Sequence, residues 1–224
     1  MKIEVLTLFP EIYQSLNVSI IGKALNKGVF DVEIHNIRDY STDKHKKCDD
    51  YPYGGGAGMV MTAQPAHDAI ENVDPSHVCK RIYLSPKGTL LTQKKVEELA
   101  QLKNILLFNG SYEGIDQRII DLDIDEEISI GDYVLTSGDL ASLVLINAIA
   151  RYIPNVLGSK ESTEEESFAN GLLEYPHYTR PFEFNGLTVP EVLISGNHAL
   201  IEKWRKEQSI RITKEKRPDL LKDK

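Results

Sequence analysis

The sequence predicts an α/β protein: a parallel sheet flanked by helices, then a small, mostly helical C-terminal domain. Three observations predict it. Short apolar runs alternate with helix-length amphipathic stretches before residue 157, the pattern of strand–helix–strand units. Three of those runs end in loops rich in Gly, Ser and Pro. After residue 157 the composition shifts, first to a polar linker and then to a Pro- and aromatic-rich segment leading into one long helix. The expected divisions are residues 1–157, an interdomain linker at 158–168, and residues 169–224.

Residues 3–8 are a short apolar run closed by Phe9-Pro10 and read as a buried strand. Residues 12–26 read as one helix, with Gly28 as its stop. Residues 30–37 alternate Val32 and Ile34 and read as a second strand. Residues 39–62 form a long polar segment, and a loop of that length in a compact domain marks function or disorder. A short helix is expected over 64–72. A repeating unit follows. Strand 80–84 runs into Ser85-Pro86-Lys87-Gly88 and a helix over 92–102. Strand 105–108 runs into Asn109-Gly110-Ser111-Tyr112-Glu113-Gly114 and a helix from Ile115. Strand 127–130 runs into Gly131-Asp132, then an extended stretch over 133–136, then Ser137-Gly138 and a helix to about residue 152. Ligands of such sheets sit beyond the carboxyl ends of strands, so these three loops are the expected site. Farther on, residues 171–190 read as irregular. Asn197 is expected to cap a helix over 198–216 that stops before Pro218.

At 224 residues, 41% hydrophobic and 27% charged, the composition is that of a globular protein and excludes wholesale disorder. No apolar run reaches the roughly 18 residues of a membrane span. The opening Met1-Lys2-Ile3-Glu4-Val5 does not continue as a signal peptide. Two cysteines, Cys48 and Cys79, make neither a disulfide framework nor a metal motif. A cytoplasmic protein with no membrane partner is the expectation. The net charge of −8 argues against a nucleic-acid partner when taken as a sum. Its distribution does not, because residues 196–224 hold nine Lys/Arg against five Asp/Glu. A basic tail suits a local phosphate contact, although from charge alone a solvated helical tail is the plainer reading.

Several chemistries fail on the motifs. Gly54-Gly55-Gly56-Ala57-Gly58 does not follow a strand, so it is no dinucleotide fingerprint. A GxxxxGK[ST] phosphate loop is absent, and the six histidines have no metal spacing. In Gly110-Ser111-Tyr112-Glu113-Gly114 the serine falls one position early for a nucleophile elbow. No metal site is expected.

What remains is an ordered series: Leu8-Phe9-Pro10, Arg38-Asp39-Tyr40, Asp49-Asp50-Tyr51-Pro52-Tyr53-Gly54-Gly55-Gly56, Tyr112-Glu113-Gly114-Ile115-Asp116, Ile128-Ser129-Ile130-Gly131-Asp132-Tyr133-Val134-Leu135-Thr136, Arg151-Tyr152-Ile153-Pro154, Pro176-His177-Tyr178-Thr179-Arg180-Pro181, Leu193-Ile194-Ser195-Gly196-Asn197-His198 and Arg217-Pro218-Asp219-Leu220-Leu221. Over nearly the full chain this resembles the TrmD family of tRNA (guanine-N1)-methyltransferases. The resemblance implies a SPOUT-type α/β domain with a trefoil knot, a homodimer whose active sites are composite, and a C-terminal domain that holds tRNA. It implies S-adenosylmethionine as methyl donor, bound by Tyr83, Leu84, Ser85 and Pro86, by Gly110, Tyr112, Glu113 and Gly114, and by Ser129, Ile130, Gly131, Tyr133, Leu135, Ser137, Gly138 and Ala141. Asp50, Tyr53, Gly56, Arg180, Ser195, Asn197 and His198 are implied on the substrate side. A magnesium dependence is an expectation from the family alone.

The sequence departs from the family pattern in places. Asn109 stands where Cys is usual and Ser111 where Arg or His is usual. Ser137, Asp139 and Ala141 stand where Gly, Glu and Pro are usual, and Glu166 where the family has its catalytic Asp. The chain also stops shortly after Leu221, where relatives continue into a further helix.

The implied reaction is methylation of N1 of the guanosine 3′ of the tRNA anticodon (position 37). That nitrogen carries a proton at neutral pH, so a positioned base must remove it. Charge then spreads to O6, which calls for a cationic donor. By resemblance the base is Glu166, the donor Arg151, and Glu113 places cofactor and purine. Without the family, Arg151 reads as a cation at a helix C-terminus and Glu166 as a solvated linker acid. A tRNA-binding homologue with weak or no methyltransferase activity is the alternative.

Overall fold

Near-continuous apolar strands such as Ile105-Leu106-Leu107-Phe108 must be covered on both faces, which requires helices above and below a parallel sheet. The computed structural model has that arrangement. It describes residues 1–157 and 166–221, and the chain divides into two units, Met1–Gly158 and Ser159–Lys224. Part of the expected linker, residues 158–165, lies outside the described residues.

In the first unit, β1 (Lys2–Thr7), β2 (Asp31–Asn36), β5 (Lys80–Leu90), β6 (Asn104–Asn109) and β7 (Glu126–Ser129) form one sheet in the order β2-β1-β6-β5-β7. Every pairing in it is parallel. Alternate residues divide the core between the two faces. Ile3, Val5, Ile82, Leu84, Ile105, Leu107 and Ile128 pack under α1 (Ser19–Asn26), α3 (Gln93–Ala100) and α5 (Asp139–Ala150). Leu6, Tyr83, Leu106 and Phe108 face α2 (Ala63–Val73) and α4 (Gln117–Asp123). A short ladder of β3 (Asp49–Asp50) and β4 (Val60–Met61) structures the ends of the long polar segment.

Four local expectations need correction. The single helix over 12–26 is two pieces, a 3-10 turn at Pro10–Asn17 and then α1. The break sits at Ser19, with φ 64. There the chain folds back so closely that a Cβ on Gly22 would lie 2.3 Å from the Asn17 carbonyl carbon. Strand 80–84 is longer than expected. The chain bulges at 85–88 and rejoins β7, so that both Leu84 and Thr89 face Ile128. Gly88 permits this, since a Cβ there would meet the Glu127 carbonyl carbon at 2.4 Å. Residues 133–136 form no strand; they belong to a loop closed by a bridge between Ser111 and Ser137. Residues 171–190 are not wholly irregular, because Asn185 and Gly186, both at positive φ, turn a hairpin of β8 (Glu183–Phe184) and β9 (Leu187–Thr188).

The second unit is built on α7 (His198–Lys216), with the short α6 (Glu191–Ile194) before it. Asn197 caps α7 by accepting the Leu200 amide at 3.2 Å. Arg205 lies 4.7 Å from the Tyr175 ring centre, and Thr213 accepts the Leu173 amide at 2.8 Å. These contacts hold the irregular 171–178 segment on the helix.

Candidate active site

The loops after β6 and β7, together with the bulge in β5, converge on one cleft. The two loops after β6 and β7 turn through unusual backbone. Tyr112 has φ 60, Gly114 φ 133 and Gly131 φ 154. The Ser129 hydroxyl donates to the Gly131 carbonyl at 3.0 Å, closing the β7 loop on itself. The chain then crosses from β7, at the edge of the sheet, past the end of β5 to β6, where the Gly138 amide donates to the Gly110 carbonyl at 2.9 Å. Backbone approaches backbone closely at this crossing. A Cβ on Gly138 would meet Asn109 Cα at 3.2 Å, and one on Gly110 would meet the Tyr83 hydroxyl at 2.6 Å.

The cleft is lined by every residue that the sequence assigned to the cofactor: Tyr83, Leu84, Ser85 and Pro86; Gly110, Tyr112, Glu113 and Gly114; Ser129, Ile130, Gly131 and Tyr133; Leu135, Ser137, Gly138 and Ala141. Sequence reasoning missed Gln117, Glu127 and Ser111, which line it too. Glu127 lies within β7, where alternation alone makes a polar residue a surface residue. Among the described residues Ser111 Oγ and Glu127 Oε2 are buried without a hydrogen-bond partner. Burial, with the charge of Glu127 added, pushes the Tyr83 phenol up to about 12. Tyr133, Val134 and Leu135 leave apolar surface exposed at the mouth.

The long glycine-rich segment abuts this cleft from one side. The Glu113 amide donates to the Met59 carbonyl at 3.0 Å, and a Cβ on Gly58 would lie 2.6 Å from Glu113 Cγ. Asp50, Tyr53 and Gly56 are exposed on that segment. Arg151 caps the C-terminus of α5 and is exposed outside the cleft lining.

In the second unit, Glu166 is half-buried and opens a tight turn, its carbonyl accepting the Ala169 amide at 3.2 Å. Phe168 and Gly171, both at positive φ, fix the backbone that follows. Arg180 and His198 are exposed. Ser195 and Asn197 have local work of their own: the Ser195 hydroxyl accepts the Asn197 amide at 3.2 Å, and Asn197 caps α7. Glu164 and Glu165 lie outside the described residues.

Among the described residues one group has metal-ligand chemistry, Glu4 with Glu33 and His35. It lies on β1 and β2, and Lys2 already bridges its two carboxylates at 2.7 and 3.1 Å. No helix among the described residues is long and apolar enough to cross a membrane.

Comparison with known proteins gives the family of the chain. The family model described as tRNA (Guanine-1)-methyltransferase TrmD matches residues 1–223. A tRNA (guanine-N(1)-)-methyltransferase of Clostridioides difficile is 55% identical over 226 residues, covering 99% of this chain and 98% of that protein. Its counterparts in Alkaliphilus metalliredigens and Caldicellulosiruptor saccharolyticus are each 56% identical, with 99% of this chain covered and 92% and 90% of theirs. With a parallel sheet, a cleft at its strand ends and relatives of this likeness along its whole length, the chain belongs to the TrmD family of tRNA (guanine-N1)-methyltransferases.

Proposed function

We propose that this enzyme methylates N1 of the guanosine 3′ of the tRNA anticodon, with S-adenosylmethionine as donor. The observation that carries the reading is the convergence of three separate loops on one cleft. Gly110, Gly131 and Gly138 line it and keep backbone close to its wall, where a Cβ would crowd a neighbouring residue. A nucleoside cofactor needs that close backbone approach. The buried, unpartnered Ser111 hydroxyl and Glu127 carboxylate oxygen suit a ligand rich in hydroxyl, amine and cationic groups. When bound, S-adenosylmethionine supplies an electrophilic methyl group.

The chain's own residues supply the rest. Glu166 takes the N1 proton, which makes that nitrogen nucleophilic. Arg151 donates toward O6, where negative charge grows as the proton leaves. Glu113, held against the Met59 and Gly58 backbone, orients the purine beside the donor. The target nucleotide lies in a loop, so extruding it costs only a few kcal/mol. Arg180 and the cationic residues of α7, among them Lys203, Arg205 and Arg211, engage the tRNA backbone. Asp50, Tyr53, Gly56, Ser195, Asn197 and His198 complete the substrate side. Residues 1–157 form the cofactor domain, 158–168 the linker and 169–224 the tRNA domain. A magnesium requirement is supported by the family resemblance alone. The enzyme works in the cytoplasm, with its substrate.

Two larger features belong to the same proposal. The crossing of 130–138 past β5 to β6 is read as part of a trefoil knot. The enzyme is a homodimer with composite sites. Supporting this, α5 is apolar nearly all round and leaves Leu140 and Val144 exposed at 54% and 48%. A helix of that kind is ordinarily covered. Phe9, Val18 and Ile20 add exposed apolar surface near the chain's start.

The test is incubation with methyl-labelled cofactor and an unmodified anticodon-stem transcript, followed by nucleoside digestion. Label in N1-methylguanosine is expected; label in another nucleoside, or none, overturns the reading.

A further inference from the structure

Beneath the cleft lies a buried polar joint that the reaction above does not use. Asp139 opens α5 and is fully buried. Its Oδ1 accepts the hydroxyls of Thr7 at 2.5 Å and Tyr13 at 3.1 Å, and its Oδ2 accepts the Ser137 hydroxyl at 2.7 Å. Thr7 ends β1 and also accepts the Phe9 amide at 2.9 Å; Tyr13 lies in the 3-10 turn. One carboxylate therefore ties the first strand and the first turn to the far end of the loop over 131–138. A buried carboxylate is tolerated only when its lone pairs are met, and here three hydroxyls meet them. Burial and the charge of Asp139 raise the Tyr13 phenol well above its ordinary range, which keeps it a donor.

Neither Thr7 nor Tyr13 lines the cofactor cleft, and nor does Asp139 itself. The loop they hold is otherwise tied near its two ends, by the Ser111–Ser137 bridge and by Tyr133 on Gly131 and Ile130. Its near end is tied by Ser129 to Gly131, and its far end by the Gly138–Gly110 bond and by Ser137 on Asp139. Between these ends Tyr133 and Val134 are exposed. A loop freed at one end samples shapes that do not receive ligand, and apparent affinity falls with the fraction that do.

We propose that Asp139 is a positioning residue for cofactor binding: through Ser137 it holds the 131–138 wall of the cleft in the shape that receives S-adenosylmethionine. This rests on assigning the cleft to the cofactor. It adds that residues on β1 and the first turn, outside the cleft, set cofactor affinity.

The test is calorimetric titration of S-adenosylmethionine into the full-length enzyme and its Asp139→Asn, Tyr13→Phe and Thr7→Val variants. Steady-state kinetics and melting temperatures are measured alongside. Asp139→Asn should raise the dissociation constant roughly tenfold or more, the scale of one hydrogen bond to a charged group, and Tyr13→Phe by several-fold. KM for the cofactor should rise in parallel, while kcat at saturating cofactor and KM for tRNA change far less. Tyr13→Phe added to Asp139→Asn should weaken binding no further, since both act through one joint. If Asp139→Asn does not fold, the two hydroxyl variants decide the matter. Unchanged affinity in the folded variants overturns the proposal. So does a parallel fall of kcat, affinity for both substrates and melting temperature, which marks a merely structural role. Gly138→Val separates the two layers: unchanged affinity there defeats the cleft assignment itself. Lost affinity there with Tyr13→Phe silent defeats only the role of Asp139.

Discussion

Glu166 and Glu113 are both acids, and the chemistry asks different things of them. Glu113 lines the cleft, with its amide bonded to Met59 and its side chain lying beside Gly58. Glu166 opens a turn fixed on its C-terminal side by Phe168 and Gly171. A Glu reaches on the order of 1.3 Å beyond an Asp, one carbon–carbon bond being about that long in projection. A misplacement near 1 Å can cost about 100-fold when nothing adjusts. In the proposed role of base, Glu166 needs that extra length taken up within the assembled site. Glu166→Gln should therefore cut single-turnover methyl transfer by roughly 10²–10⁴-fold with cofactor affinity barely changed, whereas Glu165→Gln should be nearly silent. Glu164, Glu165 and Glu166 are consecutive, so a crippled Glu165→Gln variant would make Glu165 the base instead. At this scale the loop residues of the cleft were legible because Gly, Ser and Pro follow apolar runs. Glu127 was not, because a polar residue inside a strand carries no mark of the cavity it faces.

Among the elements, the parallel strands and α7 were legible for physical reasons: continuous apolar runs need two covered faces, and Asn197 supplies a cap. The break at Ser19 was hidden because both pieces keep their apolar residues, Tyr13 with Leu16 and Ile21 with Ala24, on the same core. The hairpin carried a readable signal, the dipeptide Asn185-Gly186, which the surrounding prolines and aromatics masked. The packing of α2 on α4 carries a pH dependence. His67 Nδ1 lies 2.8 Å from Asp123 Oδ2, and that hydrogen bond raises the imidazole above its ordinary 6.5. A raised folded-state value means the contribution is complete below about 6.5 and is lost as pH rises through the folded value. The melting temperature of the native enzyme should thus exceed that of His67→Gln most at pH 6 and below, with the gap closing as pH climbs. A gap independent of pH would show that the imidazolium–carboxylate pair is not its source.

For the whole molecule, periodicity could not have revealed that the chain crosses from β7 to β6, since chain crossing leaves no trace in local pattern. Nor could it reveal which apolar surface stays uncovered in one chain. Leu140 and Val144 sit in a helix that reads as wholly buried. If each site draws Glu166 and the cofactor loops from different subunits, two inactive chains should complement. Mixed dimers of Glu166→Ala and Gly138→Val should recover up to about a quarter to a half of native turnover, depending on subunit exchange. No recovery in verified heterodimers would mean that each site is built within one chain. In the proposed reaction, base identity decides chemistry while phosphate contacts decide binding. The most direct measurement compares a native tRNA transcript with one carrying adenosine 3′ of the anticodon, scored for binding and for methyl transfer. Similar affinity with turnover lost for the adenosine transcript is the predicted result; equal methylation of both would contradict it.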